Sequence, residues 1–521
     1  MPNHFNEENV SFIHDLTLEN DDNFVITTND IANGLQKLKA SIGPDSIHTN
    51  HIKNCSHNFY LFLSKFFSSC LRHSFLPSNL TKGVIVPLIK DKLGDINTLC
   101  NYRPVMSSSV LLKLFEYIIL NKIDKYFNIN DRQHGYQNGY STATAFYAFK
   151  ETILPYFNEN TSVYAAFIDL SKAFDCVNHS ILFKQLFDKG FPNVFIKLLY
   201  HWYRNQSVNI SFNSCQSTSW DVNNGVRQGG ILSPYLFNFY INNLMNNISS
   251  MNVGCNLGFL KSNIIAYADD IVLLSPSLGG LQRLVNCFVE GINEIDLRMN
   301  IEKTVCIKFT NKKSFSNINC SIKCSSYFLK FVTETKYLGY FITYNLCNNK
   351  DIIHNRNTFY KQFNVVIRKF SNVKLNVLVN LFNTYCLQFY GANLWFRNFG
   401  CSLSLHQLAV GYHKAIKKIL KVPYGASNHD CCEIVNLLTF NHFLNFIGLK
   451  FIFRIFYRPC KFIFKVNSFL KFKSFYLDEL QNVFKSVYDV DDILSKDLNA
   501  LIARIFYVGR HERHSNYISI L

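Results

Sequence analysis

No stretch of this 521-residue chain offers the roughly 20 uncharged apolar residues in succession that a membrane-spanning helix needs. The nearest approach, residues 446–475, is rich in Phe and Ile. Lys450, Arg454, Arg458, Lys461, Lys465, Lys471 and Lys473 interrupt it, so it reads as basic and amphipathic. The first eight residues, Met1-Pro2-Asn3-His4-Phe5-Asn6-Glu7-Glu8, lack a basic segment leading into an apolar core, and no signal peptide is expected. Acids are scarce: 36 Asp and Glu face 53 Lys and Arg, a net charge of +17. That balance makes the chain a candidate for binding polyanions, nucleic acid before anionic membrane. A basic surface that serves solubility alone is the plainer alternative. Zinc-site spacing is missing as well. Cys320/Cys324 and Cys431/Cys432 are close pairs without a second pair at finger spacing. The 16 cysteines instead fit reduced, buried thiols in a cytosolic or nuclear protein. No short internal repeat is seen. What the chain has in quantity is apolar surface, 48% hydrophobic residues with 49 Phe, enough to fold two to four domains.

The stretch around which the rest is organised is Ile264-Ile265-Ala266-Tyr267-Ala268-Asp269-Asp270-Ile271-Val272-Leu273-Leu274. Two apolar, β-branched runs flank two acids, a pattern that predicts a β-hairpin with the acids at its tight turn. An Asp pair at an ordinary turn accounts for them cheaply. At the tip of so apolar a hairpin they also suit a hard divalent cation. Val163-Tyr164-Ala165-Ala166-Phe167-Ile168-Asp169 reads as a buried central strand ending in an acid. An acid so placed is a candidate site residue. If the two strand elements share a sheet, three carboxylates converge, and their repulsion calls for cations. Two Mg²⁺ ions about 3.5–4 Å apart, clamping the oxygens of a phosphoryl transfer, answer that need.

Other elements follow in order. Residues 1–28 are polar and acidic. A helix is predicted from Thr28 through Ile31, Leu35 and Leu38, and a second through Phe59, Leu63, Phe66, Phe67 and Leu71. Thr81–Lys90 reads as a strand, linked through a turn-rich segment to Asn101–Val105. Lys90 and Arg103 then lie near one another on a strand-loop-strand flap, as a pair suited to polyphosphate or as two solvated charges. A helix carries Leu111, Leu114, Phe115, Ile118 and Ile119. After the glycine-punctuated loop Gln133–Thr142, Ser141 or Thr142 caps a helix from Ala143. A helix spans about Ser180 to Lys189, with Gly190 at its C-cap. Asn223–Pro234 is a Gly/Gln loop in which Ser233 is the expected N-cap and Pro234 the first helical residue. Leu281–Asn300 is expected to be helical, Val305–Phe309 a strand and Thr335–Ile342 a further strand. From about Asp351 the pattern is helical and basic.

Taken in order, several segments resemble the reverse transcriptases of non-LTR (LINE-like) retrotransposons. They are Asn101-Tyr102-Arg103-Pro104, Phe167-Ile168-Asp169-Leu170-Ser171-Lys172-Ala173-Phe174-Asp175, Gly225-Val226-Arg227-Gln228-Gly229-Gly230-Ile231-Leu232-Ser233-Pro234, Tyr267-Ala268-Asp269-Asp270, Lys303-Thr304 and Tyr337-Leu338-Gly339. The resemblance covers about residues 30–345 and, more loosely, the region to 450. It implies an α+β right-hand polymerase with fingers, an antiparallel-sheet palm, a helical thumb and a helical C-terminal extension. The expected division is a polar segment at 1–29, fingers and palm at 30–345 (core about 80–345), the thumb at 346–450 and a basic, aromatic-rich extension at 451–521.

The implied activity is RNA-directed DNA synthesis, extending a primer 3′-OH with dNTPs by two-metal phosphoryl transfer. By motif position, Asp169 and Asp269 would bind two Mg²⁺ ions (Mn²⁺ able to substitute). Asp270 would support them, and the backbone carbonyl of Leu170 would complete the coordination. Lys90 and Arg103 would hold the triphosphate, Gln228 and Gly229 would line the floor under the nascent base pair, and Phe174 would exclude a ribose 2′-OH. Lys303 would protonate or neutralise the leaving pyrophosphate. The implied partners are an RNA template, a DNA primer or target and dNTPs, with a nuclease acting in trans and no stable membrane association. The implied setting is cytoplasmic and nuclear.

The chain departs from the family pattern in three respects. Tyr136-Gln137 stands where Phe-Arg is usual, and Arg227 and Gly230 replace the commoner Pro and Ser. Neither a nuclease domain before residue 30 nor a C-terminal Cys/His knuckle is evident, so a fragment or a domesticated or degraded copy of an element is expected. A mobile-intron maturase, a non-catalytic nucleic-acid-binding remnant and a peripheral membrane protein built on residues 446–475 are the alternatives.

Overall fold

The structure is a computed structural model that describes residues 10–16, 25–91, 94–213, 215–257, 260–311, 320–395 and 403–457. They fall into two compact units, one within Met1–Leu338 and Thr343–Leu346, the other within Gly339–Ile342 and Cys347–Leu521. The fold is α+β.

In the first unit, Thr27 and Asp30 cap each other's backbone and start α1 (Thr28–Lys37), which buries Ile31 and Leu35. Helix α2 is His57–Arg72, followed by strands β1 (Gly83–Ile89) and β2 (Tyr102–Ser107) and helix α3 (Val110–Ile123). Ser141 caps α4 (Thr142–Asn158) by accepting from the Thr144 N–H. Strand β3 is Val163–Ile168, and α5 (His179–Asp188) ends before Gly190, whose φ of +70° suits the residue beyond a helix C-cap. Helix α6 (Asn193–Arg204), strand β4 (Ser207–Phe212) and helix α7 (Ser233–Tyr240) come next. They are followed by β5 (Ile264–Tyr267), β6 (Asp270–Ser275), α8 (Leu278–Glu294), β7 (Val305–Phe309) and β8 (Lys330–Phe331).

Two sheets result. β2 pairs antiparallel with β1, and β1 pairs parallel with β4. The second sheet runs β8-β7-β3-β6-β5, with β3 at its centre, antiparallel to both neighbours. Both of its faces are covered. Ala166, Ile168, Ile271 and Leu273 join the main core with Phe237 of α7 and Phe288 of α8. On the opposite face the ring of Phe149, from α4, lies 5.7 Å from those of Phe167 and Phe309. Burial on both sides explains why these strands are near-continuous apolar runs rather than alternating ones.

The second unit packs α9 (Asn349–Lys369), α10 (Leu375–Cys386), α11 (Leu403–Leu420) and α12 (Phe440–Tyr457) around Phe359, Phe382, Trp395, Tyr412 and Phe440. Trp395 Nε1 donates to Asp351 Oδ2 at 2.8 Å, so a buried carboxylate and a buried indole satisfy each other. Lys417 faces inward and donates to the Tyr424 carbonyl at 2.8 Å. Among the described residues no helix is long and apolar enough to cross a membrane. The basic aromatic-rich stretch enters α12, and its part beyond Tyr457 lies outside the described residues, as does most of the expected extension at 451–521.

Three sequence expectations need correcting. Helix α8 ends at Glu294, not Asn300, because Asp296 takes a left-handed φ of +52° and Leu297 N–H closes back on the Ile292 carbonyl. The expected single strand 335–342 is two short ones, Glu334–Tyr337 and Tyr340–Thr343, broken where Leu338 and Gly339 both have positive φ. Ser233 is not the N-cap of α7. The helix includes it, and the cap position is Leu232, which has no side-chain donor or acceptor to offer.

Leu273 is fully buried in β6. Leu273→Ala is therefore expected to cost about 2–5 kcal/mol in urea denaturation; a loss under about 1 kcal/mol would contradict the two-sided burial of this sheet.

Candidate active site

The acids meet because of strand register. Ile168 pairs with Ile271 across β3 and β6, so the next step outward sets Asp169 opposite Asp270. Residues opposed in an antiparallel pair have Cα atoms roughly 4.5–5.5 Å apart. Asp270 in turn pairs with Tyr267, leaving Ala268 and Asp269 as the two-residue turn. Ala268 has φ +55°, the left-handed value a tight hairpin of this length requires at its first loop position.

The backbone around Asp169 is held from the far side by residues 298–304. Asn300 N–H donates to the Asp169 carbonyl at 2.8 Å and Ser171 N–H to the Arg298 carbonyl at 2.9 Å. Thr304 Oγ1 accepts from Asp169 N–H at 3.2 Å. These bonds make Leu170 the bridge partner of Met299. In that pattern the polar groups of Leu170 itself point away from Met299, toward the side on which β6 lies. The Leu170 carbonyl thus faces the side of the acids. Lys303, one residue before Thr304, is exposed beside this ladder.

The crowding has an electrostatic consequence. Burial at the hairpin base pushes the Asp270 carboxyl up to about 6, with Asp269 and Asp169 adding to the rise and Arg103 opposing it. Asp269 is raised by burial above all, with Asp169 adding to the rise, while a hydrogen bond from the backbone and the Arg103 charge oppose it. Asp270 itself reaches solvent, so the walls around it rather than full enclosure produce the effect. Among the described residues the one trio of His, Cys, Asp or Glu ligand atoms mutually within 4.8 Å is His429, Asp430 and Glu433, all exposed. The oxygens of the three hairpin-side acids are therefore spread wider than one cage. Carboxylate oxygens are the ligand type that hard divalent cations take.

The flap supplies the opposing charge. Leu88 pairs with Arg103 and Ile89 with Tyr102, which sets Lys90 diagonal to Arg103 on the same face of the sheet. Lys90 Nζ donates to the Cys100 carbonyl at 3.0 Å. Arg103 acts on Asp269 and Asp270, whereas Lys90 acts on Asp175. Burial raises the Asp175 carboxyl, and a hydrogen bond from Gln228 Nε2 at 2.8 Å holds it back.

The Gly/Gln loop lies between these parts. Val226 N–H donates to the Phe174 carbonyl and Gly225 N–H to the Val177 carbonyl, both at 2.8 Å. On its other side the Gln228 carbonyl accepts from Met106 N–H of β2 at 2.7 Å. Gly229, at φ +110°, passes so near that a Cβ would come 2.8 Å from the Met106 carbonyl. The Phe174 ring stacks on Phe237, centroids 4.6 Å apart and 17° from parallel.

Two buried residues that sequence reasoning left unassigned hold this loop. Glu116, inside α3, accepts from the Ile231 and Leu232 N–H groups and so does the capping that Ser233 was expected to do. Arg227 donates to Gln206 Oε1 and to the Thr81 carbonyl, each at 2.6 Å, and lies over the Trp202 ring. Burial raises Glu116, and the Arg227 charge counters that rise. Asp175 also escaped assignment, although it stands within the quoted motif. The only signal for Glu116 was a lone acid on the apolar repeat of α3.

Without cations, Asp270 binds a proton more tightly in the folded state than its ordinary value of 3.8. Stability is then lost as pH rises from about 4 to 6 and stays lost above that range. Asp270→Asn is accordingly expected to raise the melting temperature in EDTA at pH 7.5 by about 1–3 °C, a modest figure because the group reaches solvent. The gain should vanish near pH 4, and added Mg²⁺ should stabilise the parent chain more than the variant. A lower melting temperature for Asp270→Asn in EDTA would contradict the crowding.

Residues 90–342 match the family described as reverse transcriptase (RNA-dependent DNA polymerase). The retrovirus-related Pol polyprotein from type-2 retrotransposable element R2DM of Drosophila melanogaster is 27% identical over 328 residues, 60% of this chain and 30% of that protein. The probable RNA-directed DNA polymerase from transposon BS, also of Drosophila melanogaster, is 24% identical over 418 residues, 77% of this chain and 45% of that protein. This chain thus spans less than half the length of either relative. A solved structure of telomerase from Candida Tropicalis with a telomeric RNA fragment is similar at 13% identity and a TM-score of 0.40, over 84% of this chain and 68% of that one. Residues 90–342, the segment that carries the acids, the flap and the Gly/Gln loop, are thus similar to reverse transcriptases, and the relatives the chain matches are polymerases of retrotransposable elements.

Proposed function

We propose that this chain is an RNA-directed DNA polymerase of a non-LTR retrotransposon, extending a DNA primer 3′-OH on an RNA template with dNTPs. The observation that carries the reading is the register of β3 against β6, which gathers Asp169, Asp269 and Asp270 under Arg103. The first unit to about residue 345 would be fingers and palm, and the helices of 346–450 a thumb that grips the template-primer. The excess of basic residues gives the chain affinity for the phosphate backbone. The same reading assigns its work to the cytoplasm and nucleus, on DNA ends made by a nuclease in trans.

In this reading Asp169, Asp269 and the Leu170 carbonyl hold two Mg²⁺ ions, or Mn²⁺ in their place, with Asp270 in support. When bound, the ions lower the pKa of the primer hydroxyl and neutralise charge on the leaving pyrophosphate. Lys90 and Arg103 hold the triphosphate against the palm acids. Gln228, fixed to Asp175, and Gly229, with no side chain above it, form a smooth floor under the new base pair. The 3′-oxygen attacks the α-phosphorus in line, the bond to the β-phosphate oxygen breaks, and pyrophosphate leaves beside Lys303, which donates a proton or offsets its charge. Phe174, backed by Phe237, presents a rigid ring where a ribose 2′-OH would lie.

Primer extension on a poly(rA)–oligo(dT) duplex with dTTP and Mg²⁺ tests this. The parent chain should incorporate, and Asp169→Ala or Asp269→Ala should cut the rate at least about a thousandfold. A folded parent chain that binds the duplex yet extends nothing would mark a nucleic-acid-binding remnant and overturn the reading. Phe174→Ala should lower selectivity for dTTP over UTP by about tenfold or more, measured as the ratio of kcat/KM values. Unchanged selectivity would remove Phe174 from the role of gate.

A further inference from the structure

The loop between α3 and α4 carries a side chain that the proposed chemistry does not use. Gln133 is fully buried. Its Oε1 accepts from Ala268 N–H at 2.7 Å and from Gly135 N–H at 2.9 Å. Its Nε2 donates to the Ala268 carbonyl at 3.2 Å. Both polar ends of one carboxamide are therefore spent on the backbone of one residue, the left-handed alanine before Asp269. A carboxamide bonds in this way as a peptide unit does in a neighbouring strand.

The main chain on either side continues that pairing. His134 N–H donates to the Ala266 carbonyl at 2.7 Å, and Ala266 N–H to the Arg132 carbonyl at 2.9 Å. Gly135 runs so close that a Cβ there would come 2.4 Å from the Ala268 nitrogen. The Gly135 carbonyl is held by Asn238 Nδ2 of α7 at 2.7 Å. The short segment 132–135 thus extends β5 by a further edge and reaches over the turn. A non-glycine residue at φ +55° persists only where its surroundings enforce it. Here Gln133 is the group that grips both its N–H and its carbonyl.

We infer that Gln133 is a positioning residue for the acidic hairpin: by clamping Ala268 in its left-handed conformation it fixes where the Asp269 carboxylate stands. The consequence for catalysis rests on the polymerase reading above, whereas the clamp itself does not. Glutamine is required because the site needs an acceptor and a donor on one planar group, in a place closed to water. An ionised glutamate there accepts only, and methionine offers neither bond.

The test compares Gln133→Met, Gln133→Asn and Gln133→Met with Ala268→Gly in the full chain. Gln133→Met should lower kcat for primer extension at least tenfold while the KM for dTTP changes less than threefold, and should need more Mg²⁺ to saturate. Glycine takes positive φ without steric cost, so Ala268→Gly should restore at least a third of the lost kcat. Hydrogen exchange reads the clamp without activity: protection of the amides at 266–270 should fall at least tenfold in Gln133→Met, and elsewhere hold. If Gln133→Met does not fold, Gln133→Asn, one methylene too short to reach both Ala268 groups, is judged by the same criteria. A folded variant with kcat within twofold of the parent, a loss that Ala268→Gly leaves untouched, or unchanged exchange at 266–270 would each overturn the inference. A parent chain that copies nothing would sink the polymerase reading instead, and exchange alone then decides the clamp.

Discussion

Antiparallel pairing of β3 with β6 drives Asp169 and Asp270 to the same end of a sheet that is buried on both faces, with Asp269 in the turn between β5 and β6. Like charges at that spacing repel, and burial raises the cost of each one. The sheet cannot relieve this by slipping, because a shift of one residue would move Ile168, Ile271 and Leu273 from the face packed on Phe237 and Phe288 to the face packed on Phe149, where their shapes do not fit. The fold is therefore committed to a local excess of negative charge. Its other parts make sense as responses to that commitment. Arg103 and Lys90 come from a flap outside the sheet, and Arg103 opposes the rise in the Asp269 and Asp270 pKa values.

Keeping such a site in shape falls to buried and half-buried polar groups as well as to apolar packing. Glu116 caps the entry to α7, Arg227 ties the Gly/Gln loop to Thr81 and Gln206, and Gln228 joins that loop to Asp175. Gln133 and Asn238 do the same for the hairpin turn. Each of these contacts crosses from one chain segment to a distant one. A hydrogen bond inside a dry core has a fixed direction, whereas apolar contact tolerates sliding. In the proposed reading the carboxylates share cations, and that sharing needs the former. Arg227 therefore holds the loop through directed bonds, with its guanidinium over the Trp202 ring.

The sheet and its acids were legible in the sequence because their signals are local. A continuous apolar run ending in Asp169, and two such runs hinged on Asp269-Asp270, have few other meanings in a folding chain. Lys90 and Arg103 were legible as neighbours for the same reason, since a short link between two strands leaves little choice of pairing. Helix ends were less so. The pattern of α8 continues past Glu294 in its apolar spacing, and nothing local announces that Arg298–Asn300 are needed as a ladder for Asp169. Ser233 had the right chemistry for an N-cap, but Glu116, more than a hundred residues away, occupies that role. Glu116, Gln133 and Arg227 share one property: each bonds to backbone atoms of a remote segment. No periodicity records such a contact, and only the assembled fold reveals it.

The central claim is that Asp169 and Asp269 share a pair of divalent ions with the Leu170 carbonyl. Anomalous diffraction from crystals grown with Mn²⁺, template-primer and a non-hydrolysable dNTP tests it directly. The account predicts two peaks about 3.5–4 Å apart, bounded by those two carboxylates and that carbonyl. Peaks elsewhere, or a single ion held by Asp270 alone, would contradict it.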